Sequence, residues 1–141
     1  MNNFSAISKE RLKTCHRDLQ LLFAHVIQDY DCSVICGHRG EIEQDAAFAE
    51  GKSQLKWPDS KHNKVPSEAA DVAPHEEVID WGKLQSAYFA GYVMGKADQL
   101  FKIGTISHRI RCGVDFDMDN DVDDSTFWDA CHFEIVPNEM Y

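Results

Sequence analysis

At 141 residues and 43% hydrophobic content, the chain is long enough to bury one compact core and too short for two, so residues 1–141 read as a single domain. The formal net charge of -10 excludes nonspecific nucleic-acid binding, which depends on lysine and arginine neutralising phosphates. Much of that acidity is local, in the run from Asp115 to Asp124.

In chain order, Ser8 is placed to cap a helix reaching about Tyr30. Its apolar residues Leu12, Cys15, Leu19, Leu22, Phe23, Val26 and Ile27 recur every three or four positions. Ser33 to Cys36 reads as a short strand that delivers Gly37-His38-Arg39 to its end, and Glu41 to Glu50 as a helix stopped by Gly51. Lys52 to Ser67 is polar, carries Pro58 and Pro66, and reads as a loop with His62 inside it. Ala69 to Val72 is a short strand bearing Asp71. Asp80 is placed to cap a long helix through Leu84, Ala87, Tyr88, Gly91, Met94, Ala97 and Phe101, with Gly91-x-x-x-Gly95 marking close packing. Ile110 to Val114 and His132 to Val136 are strands, separated by the aspartate-rich loop and a helical turn at Thr126 to Trp128.

The longest mostly apolar stretch, Leu84 to Phe101, is interrupted by Gln85, Lys96, Asp98 and Gln99, and the N-terminus lacks a basic start followed by an apolar run. Neither a membrane span nor a signal peptide is expected, and the chain should be made in the cytoplasm. The five cysteines, at positions 15, 32, 36, 112 and 131, are odd in number and irregular in spacing, which fits a reducing compartment. Cys32-x-x-x-Cys36 is at most a weak metal half-site, since no second thiolate pair lies at finger-like spacing.

The chemistry concentrates in two fragments, Ser60-Lys61-His62 leading to Asp71, and Asp129-Ala130-Cys131-His132-Phe133-Glu134. Two histidines and a carboxylate can hold zinc with one coordination position open, and a further carboxylate can then move a proton. His62, Asp71 and His132 are the candidate ligands and Asp129 the candidate general base. Strand alternation puts His132 and Glu134 on one face, so Glu134, with Ser60 beside His62, is placed to orient a ligand. His16, His25, His38, His75 and His108 read as structural, with His38 and His75 near enough to functional segments to border a cleft.

Ser60-x-His62, then Ala69-x-Asp71-x-Ala73-Pro74, then Asp129-x-x-His132-x-Glu134 resemble the zinc peptidases that include VanY-type D,D-carboxypeptidases and phage L-alanyl-D-glutamate endolysins. The likeness covers nearly the whole chain, with Gly37-His38-Arg39, Ile79-Asp80-Trp81 and Gly113-Val114-Asp115-Phe116-Asp117 resembling connecting segments. Two departures stand out. Nine residues separate His62 from Asp71 where the family usually has seven, and Ser67 takes the place of a glycine. The resemblance implies a small α+β domain of the hedgehog/D,D-peptidase type, an antiparallel sheet flanked by helices. It implies zinc on His62, Asp71 and His132, and Arg39 binding substrate or stabilising the oxyanion. The implied activity is hydrolysis of a peptidoglycan stem-peptide bond, with L-alanyl-D-glutamate endopeptidase first and D-alanyl-D-alanine carboxypeptidase second. A non-catalytic calcium- or zinc-binding protein is the alternative from another class. Reaching the wall from the cytoplasm would take a holin or another export factor.

Asp115, Asp117, Asp119, Asp121 and Asp123 alternate as in the first half of an EF-hand loop, with Asn120 where a glycine would turn the chain and Thr126 where the bidentate glutamate would stand. The loop reads either as a calcium site, with Asp124 as a substitute ligand, or as aspartates that cap turns.

Overall fold

The computed structural model describes residues 2–74, 83–123, 129 and 131–137. Its elements are α1 (Ala6–Lys13), α2 (Arg17–Asp29), β1 (Cys32–Cys36), α3 (Glu41–Ala49), a 3-10 turn (Lys61–Asn63), β2 (Ala69–Pro74), α4 (Lys83–Lys102), β3 (Arg109–Cys112) and β4 (His132–Val136). The four strands form one antiparallel sheet in the order β1-β2-β4-β3. This is the expected α+β arrangement.

Alternation divides the sheet into two chemically distinct faces. Cys32 and Val34, Ala70 and Val72, Phe133 and Ile135, and Ile110 and Cys112 join the hydrophobic core with α2 and α4. Phe133 meets Phe23 of α2 and Phe89 of α4 edge-on, with ring centroids 5.5 and 6.1 Å apart. The intervening residues of β2, β4 and β3, among them Asp71, His132, Glu134 and Arg111, point the other way. A slip of one residue would exchange the two sets, so burial of the apolar face fixes the polar one.

The expected helix from Ser8 to Tyr30 is two helices. Ser5 caps the first, accepting from the Ser8 amide at 3.1 Å, and His16 caps the second, its Nδ1 accepting from the Asp18 amide at 3.0 Å. Between them the backbone leaves the helical path to pair with Ser67. The His16 amide donates to the Ser67 carbonyl and the Ser67 amide to the Thr14 carbonyl, both at 2.8 Å. The apolar stripe survives the break, because all seven residues assigned to it are buried. Ser8 is buried and accepts from the Val34 amide instead of capping.

The face assigned to α4 also needs correction. Ser86, Phe89, Ala90, Val93, Ala97 and Leu100 are buried, whereas Leu84 and Tyr88 are 90% and 70% exposed. This helix carries aromatic and aliphatic residues on both sides, so spacing alone leaves two candidate stripes. Gly91 and Gly95 lie on the exposed side with no atom within 4 Å of a built Cβ. They border a cavity of about 590 Å³ beside β3, and the close packing expected of them is absent. The strand expected to reach Val114 ends at Cys112. Asp80, His75 and the turn at Thr126 to Trp128 lie outside the described residues.

Candidate active site

Strand register assembles the site. Cys36 of β1 pairs with Asp71 of β2, and Asp71 pairs with His132 of β4, so one row across three strands carries a thiol, a carboxylate and an imidazole. Glu134 forms the next row with Arg111 of β3 and Ala69 of β2. His62 arrives from the loop on its 3-10 turn. Ser60 caps that turn, its hydroxyl accepting from the His62 amide at 3.2 Å.

Each histidine uses one ring nitrogen to fix the other. His62 Nδ1 donates to the Gly37 carbonyl at 2.7 Å, leaving Nε2 facing Asp71 Oδ1 at 3.2 Å. His132 Nε2 donates to Glu134 Oε1 at 2.8 Å, leaving Nδ1 facing the same Asp71 oxygen at 3.3 Å. Both rings and the carboxylate are buried. A second layer of protein acceptors that sets the tautomer is the arrangement metal-binding imidazoles need. Two nitrogens and a carboxylate oxygen, converging in a buried place, suit a divalent ion such as zinc.

Glu134 is itself clamped. Lys61 Nζ lies 3.0 Å and Arg111 Nη2 2.9 Å from Glu134 Oε2, and Lys61 also donates to the Ile135 carbonyl. Arg111 further bonds the Phe116 carbonyl at 3.2 Å, and the Phe116 ring packs against His132 with centroids 5.7 Å apart. Burial would raise the Glu134 pKa, but His132, Lys61 and Arg111 outweigh it and pull it down to about 2. At Asp71 too, burial is overcome, here by bonds from His132 and His62 that hold the carboxyl well below its usual range. Burial works against the charged imidazoles, yet Asp71 and Cys36 raise His62 to about 10, and Asp71 and Glu134 raise His132 to about 9.

Asp129 behaves differently. Burial and the neighbouring Asp71 carboxylate raise its pKa against the pull of His132, His62 and Arg39. Its carboxylate lies 3.9 Å from His132 Nδ1 and lines an open cleft of about 1270 Å³. Arg39, at the end of β1, faces the same cleft with Nη2 3.5 Å from Asp71 Oδ2. The structure thus brings together Arg39, Ser60, His62, Asp71, Asp129, His132 and Glu134. His38 is exposed and absent from the cleft lining.

Sequence reasoning missed Lys61 and Arg111, and it paired Cys36 with Cys32 rather than with His62 and Asp71. Cys36 forms a metal-capable group with His62 and Asp71, and Cys131 forms another with Asp71 and Asp129. Cys36 Sγ, however, lies 3.9 Å from His62 Nδ1, the nitrogen already turned to Gly37. Cys32 is instead a core residue. Arg111 could have been found only from its cross-strand register with Glu134.

In the aspartate loop, Asp115, Asp117 and Asp119 gather carboxylate oxygens. The carboxylates of Asp115, Asp119 and Asp121 also cap turns of the loop, and Asp124 lies outside the described residues. Asp121 and Asp123 donate amides at 2.8 and 2.9 Å to Asp119 Oδ1 and Asp121 Oδ1, and Asp115 accepts from the Asp119 and Asn120 amides. Asn120, at φ 68°, makes the expected left-handed turn.

Among solved structures, the Serratia marcescens L-Ala D-Glu endopeptidase ChiX is similar, with a TM-score of 0.71 and 22% identity over 96% of this chain and 91% of that one. No curated protein matches the sequence. Identity that low carries the fold alone, but the family model for phage L-alanyl-D-glutamate peptidases matches residues 1–136, which span every element of the sheet and every residue gathered in the cleft. The chain belongs to the phage L-alanyl-D-glutamate peptidase family, metallopeptidases acting on peptidoglycan.

Proposed function

We propose that the protein cleaves the L-alanyl-D-glutamate bond of peptidoglycan stem peptides with a zinc ion held by His62 Nε2, Asp71 and His132 Nδ1. The observation that carries this reading is the convergence of two tautomer-fixed imidazoles on one buried carboxylate, beside a second carboxyl of raised pKa. When bound, the ion supplies Lewis-acid polarisation of the scissile carbonyl and makes water a stronger nucleophile at neutral pH. Asp129 takes the proton of the attacking water and returns it to the leaving amine, and a raised pKa brings that carboxyl nearer the working pH for both transfers. Arg39 holds the substrate and stabilises the oxyanion from its fixed place beside Asp71. Ser60 and Glu134 orient His62 and His132. The cleft, about 1270 Å³, is larger than most small-molecule pockets and has room for a peptide substrate.

The test is mass spectrometry of purified peptidoglycan digested by the zinc-loaded protein, with an Asp129→Ala control. New L-alanine and D-glutamate ends are expected. Release of terminal D-alanine would select the carboxypeptidase, and absence of any Asp129-dependent product would favour a non-catalytic metal-binding protein. Zinc should stay bound in Asp129→Ala and be lost in His62→Ala.

Two subsidiary readings accompany this one. Calcium would be held by Asp115, Asp117 and Asp119, and calorimetry without binding at about millimolar calcium, the weak end of protein calcium sites, would dispose of it. The enzyme would act on the wall after leaving the cytoplasm in which it is made, through a holin or comparable export factor. No described helix is long and apolar enough to cross a membrane. Wall release that persists without any such factor would remove that requirement.

A further inference from the structure

Gln44 is the one buried residue of α3, fully enclosed although its helix is otherwise largely solvated. A primary amide offers two donor hydrogens and two acceptor lone pairs, and all four are used. Its Oε1 accepts from Arg39 Nη1 at 3.0 Å and from Asn63 Nδ2 at 3.1 Å. Its Nε2 donates to Ser53 Oγ at 2.9 Å and to the Leu55 carbonyl at 2.7 Å. With a guanidinium on one side and a carbonyl on the other, the amide has only one workable orientation.

Three parts of the site meet at this side chain. Arg39 stands between Gln44 and Asp71, its backbone amide donating to the His62 carbonyl at 2.8 Å. Asn63, next to His62, also donates to the Arg39 carbonyl at 2.9 Å. Ser53 and Leu55 also line the cleft. Without the Oε1 acceptor, Arg39 would keep, among the described residues, only the long contact to Asp71 and a choice of side-chain conformations, each putting its charge in a different place.

We propose that Gln44 is a positioning residue that aims the Arg39 guanidinium into the cleft and sets the distance from it to the Ser53–Leu55 wall. The inference rests on the reading of Arg39 as the substrate-facing cation. Gln44 touches no reacting atom and acts through Arg39. A displacement near 1 Å at such a group costs on the order of 100-fold in rate, which sets the scale of the effect.

The experiment is a double-mutant cycle on the zinc-loaded enzyme with a purified muropeptide containing the L-alanyl-D-glutamate bond. Gln44→Met keeps the length and removes all four hydrogen bonds. It is expected to lower kcat/KM roughly 10- to 100-fold, with bound zinc unchanged. In the Arg39→Ala background the same substitution should cost less than about threefold, since coupled residues are non-additive. Gln44→Glu keeps the acceptor for Arg39 and Asn63 and loses the donors to the wall, so it should recover part of the activity and can carry the cycle if Gln44→Met does not fold. Equal losses in both backgrounds, with Arg39→Ala itself impaired, would overturn the role of Gln44 and leave that of Arg39 standing. Full activity of Arg39→Ala would overturn both.

Discussion

A single methyl group at Gly113 should separate metal binding from turnover. A Cβ built there lies 2.2 Å from the Asp129 carbonyl oxygen, more than 1 Å inside the 3.4 Å at which ordinary contact begins, and 2.9 Å from Asp129 Cβ. Asp129 cannot step aside freely. Its amide donates to the Gly113 carbonyl at 2.8 Å, its own carbonyl accepts from the His132 amide at 3.2 Å, and the Gly113 amide donates to the His132 carbonyl at 2.7 Å. Gly113→Ala must therefore push the Asp129 backbone outward by about 1 Å, with an overpacking cost of about 1–3 kcal/mol. For a domain of this size that is a fall in Tm of about 4–12 °C. Misplacing a catalytic carboxyl by about 1 Å should reduce kcat on the order of 100-fold. The His132 ring stays fixed by Glu134 and Asp71, so zinc should remain bound. Calorimetry, muropeptide turnover and metal analysis of one preparation read the three quantities. Turnover within about twofold of wild type would refute the placement of Asp129 against Gly113 and with it the geometric argument for its role. Gly91→Ala and Gly95→Ala are the controls. Each meets open space on an exposed helix face, so each should stabilise by about 0.4–1 kcal/mol and leave activity unchanged.

Other expectations follow from the same contacts. Glu134→Gln weakens the acceptor that fixes His132 and leaves Lys61 and Arg111 facing a neutral amide, so zinc affinity should fall about 10- to 100-fold by competition with a chelator; an unchanged affinity would remove Glu134 from the site. In the metal-free protein His62 and His132 hold protons up to about pH 10 and 9, and zinc must displace them. Apparent affinity should rise with pH by about tenfold per unit for each proton released, and calorimetry in buffers of different ionisation enthalpy counts those protons. The same raised values stabilise the metal-free fold below the ordinary histidine pKa of about 6.5, a contribution lost as pH rises through 9 to 10. Asp71 works in the opposite sense, since its lowered pKa stabilises above about 3.8 and the contribution is lost as pH falls. Metal-free thermal stability should thus be greatest at mildly acidic pH, and a maximum in the alkaline range would contradict the ion-pair geometry. Far from the cleft, buried Asp18 accepts from the Ser107 amide at 3.0 Å, the Ser107 hydroxyl at 3.1 Å and His108 Nδ1 at 2.7 Å. Asp18→Ala should cost about 1.5–3 kcal/mol in denaturant unfolding while leaving zinc content unchanged; loss of zinc would show that the two regions are linked.

Alternation along β2 and β4 was legible in the chain itself. A strand with apolar residues at every second position has one workable orientation once that face is buried, and this fixes Asp71, His132 and Glu134 on the other. The apolar stripe from Leu12 to Ile27 was equally legible, because helical spacing is local. What lay beyond the sequence were choices that depend on a partner. The break at Thr14 to His16 exists because Ser67, more than fifty positions away, offers the backbone a competing set of hydrogen bonds. Two apolar stripes competed on α4, and packing against α2 and the sheet buried the one through Phe89 and Val93 while leaving Leu84 and Tyr88 in solvent. Register alone set Arg111 opposite Glu134 and Cys36 beside Asp71. The sequence by itself determined which residue types could hold a metal ion and move a proton, since that chemistry belongs to the side chains. The tertiary structure decided which ring nitrogen each histidine presents and how Glu134 and Gln44 hold their neighbours, because those depend on acceptors brought together from distant parts of the chain.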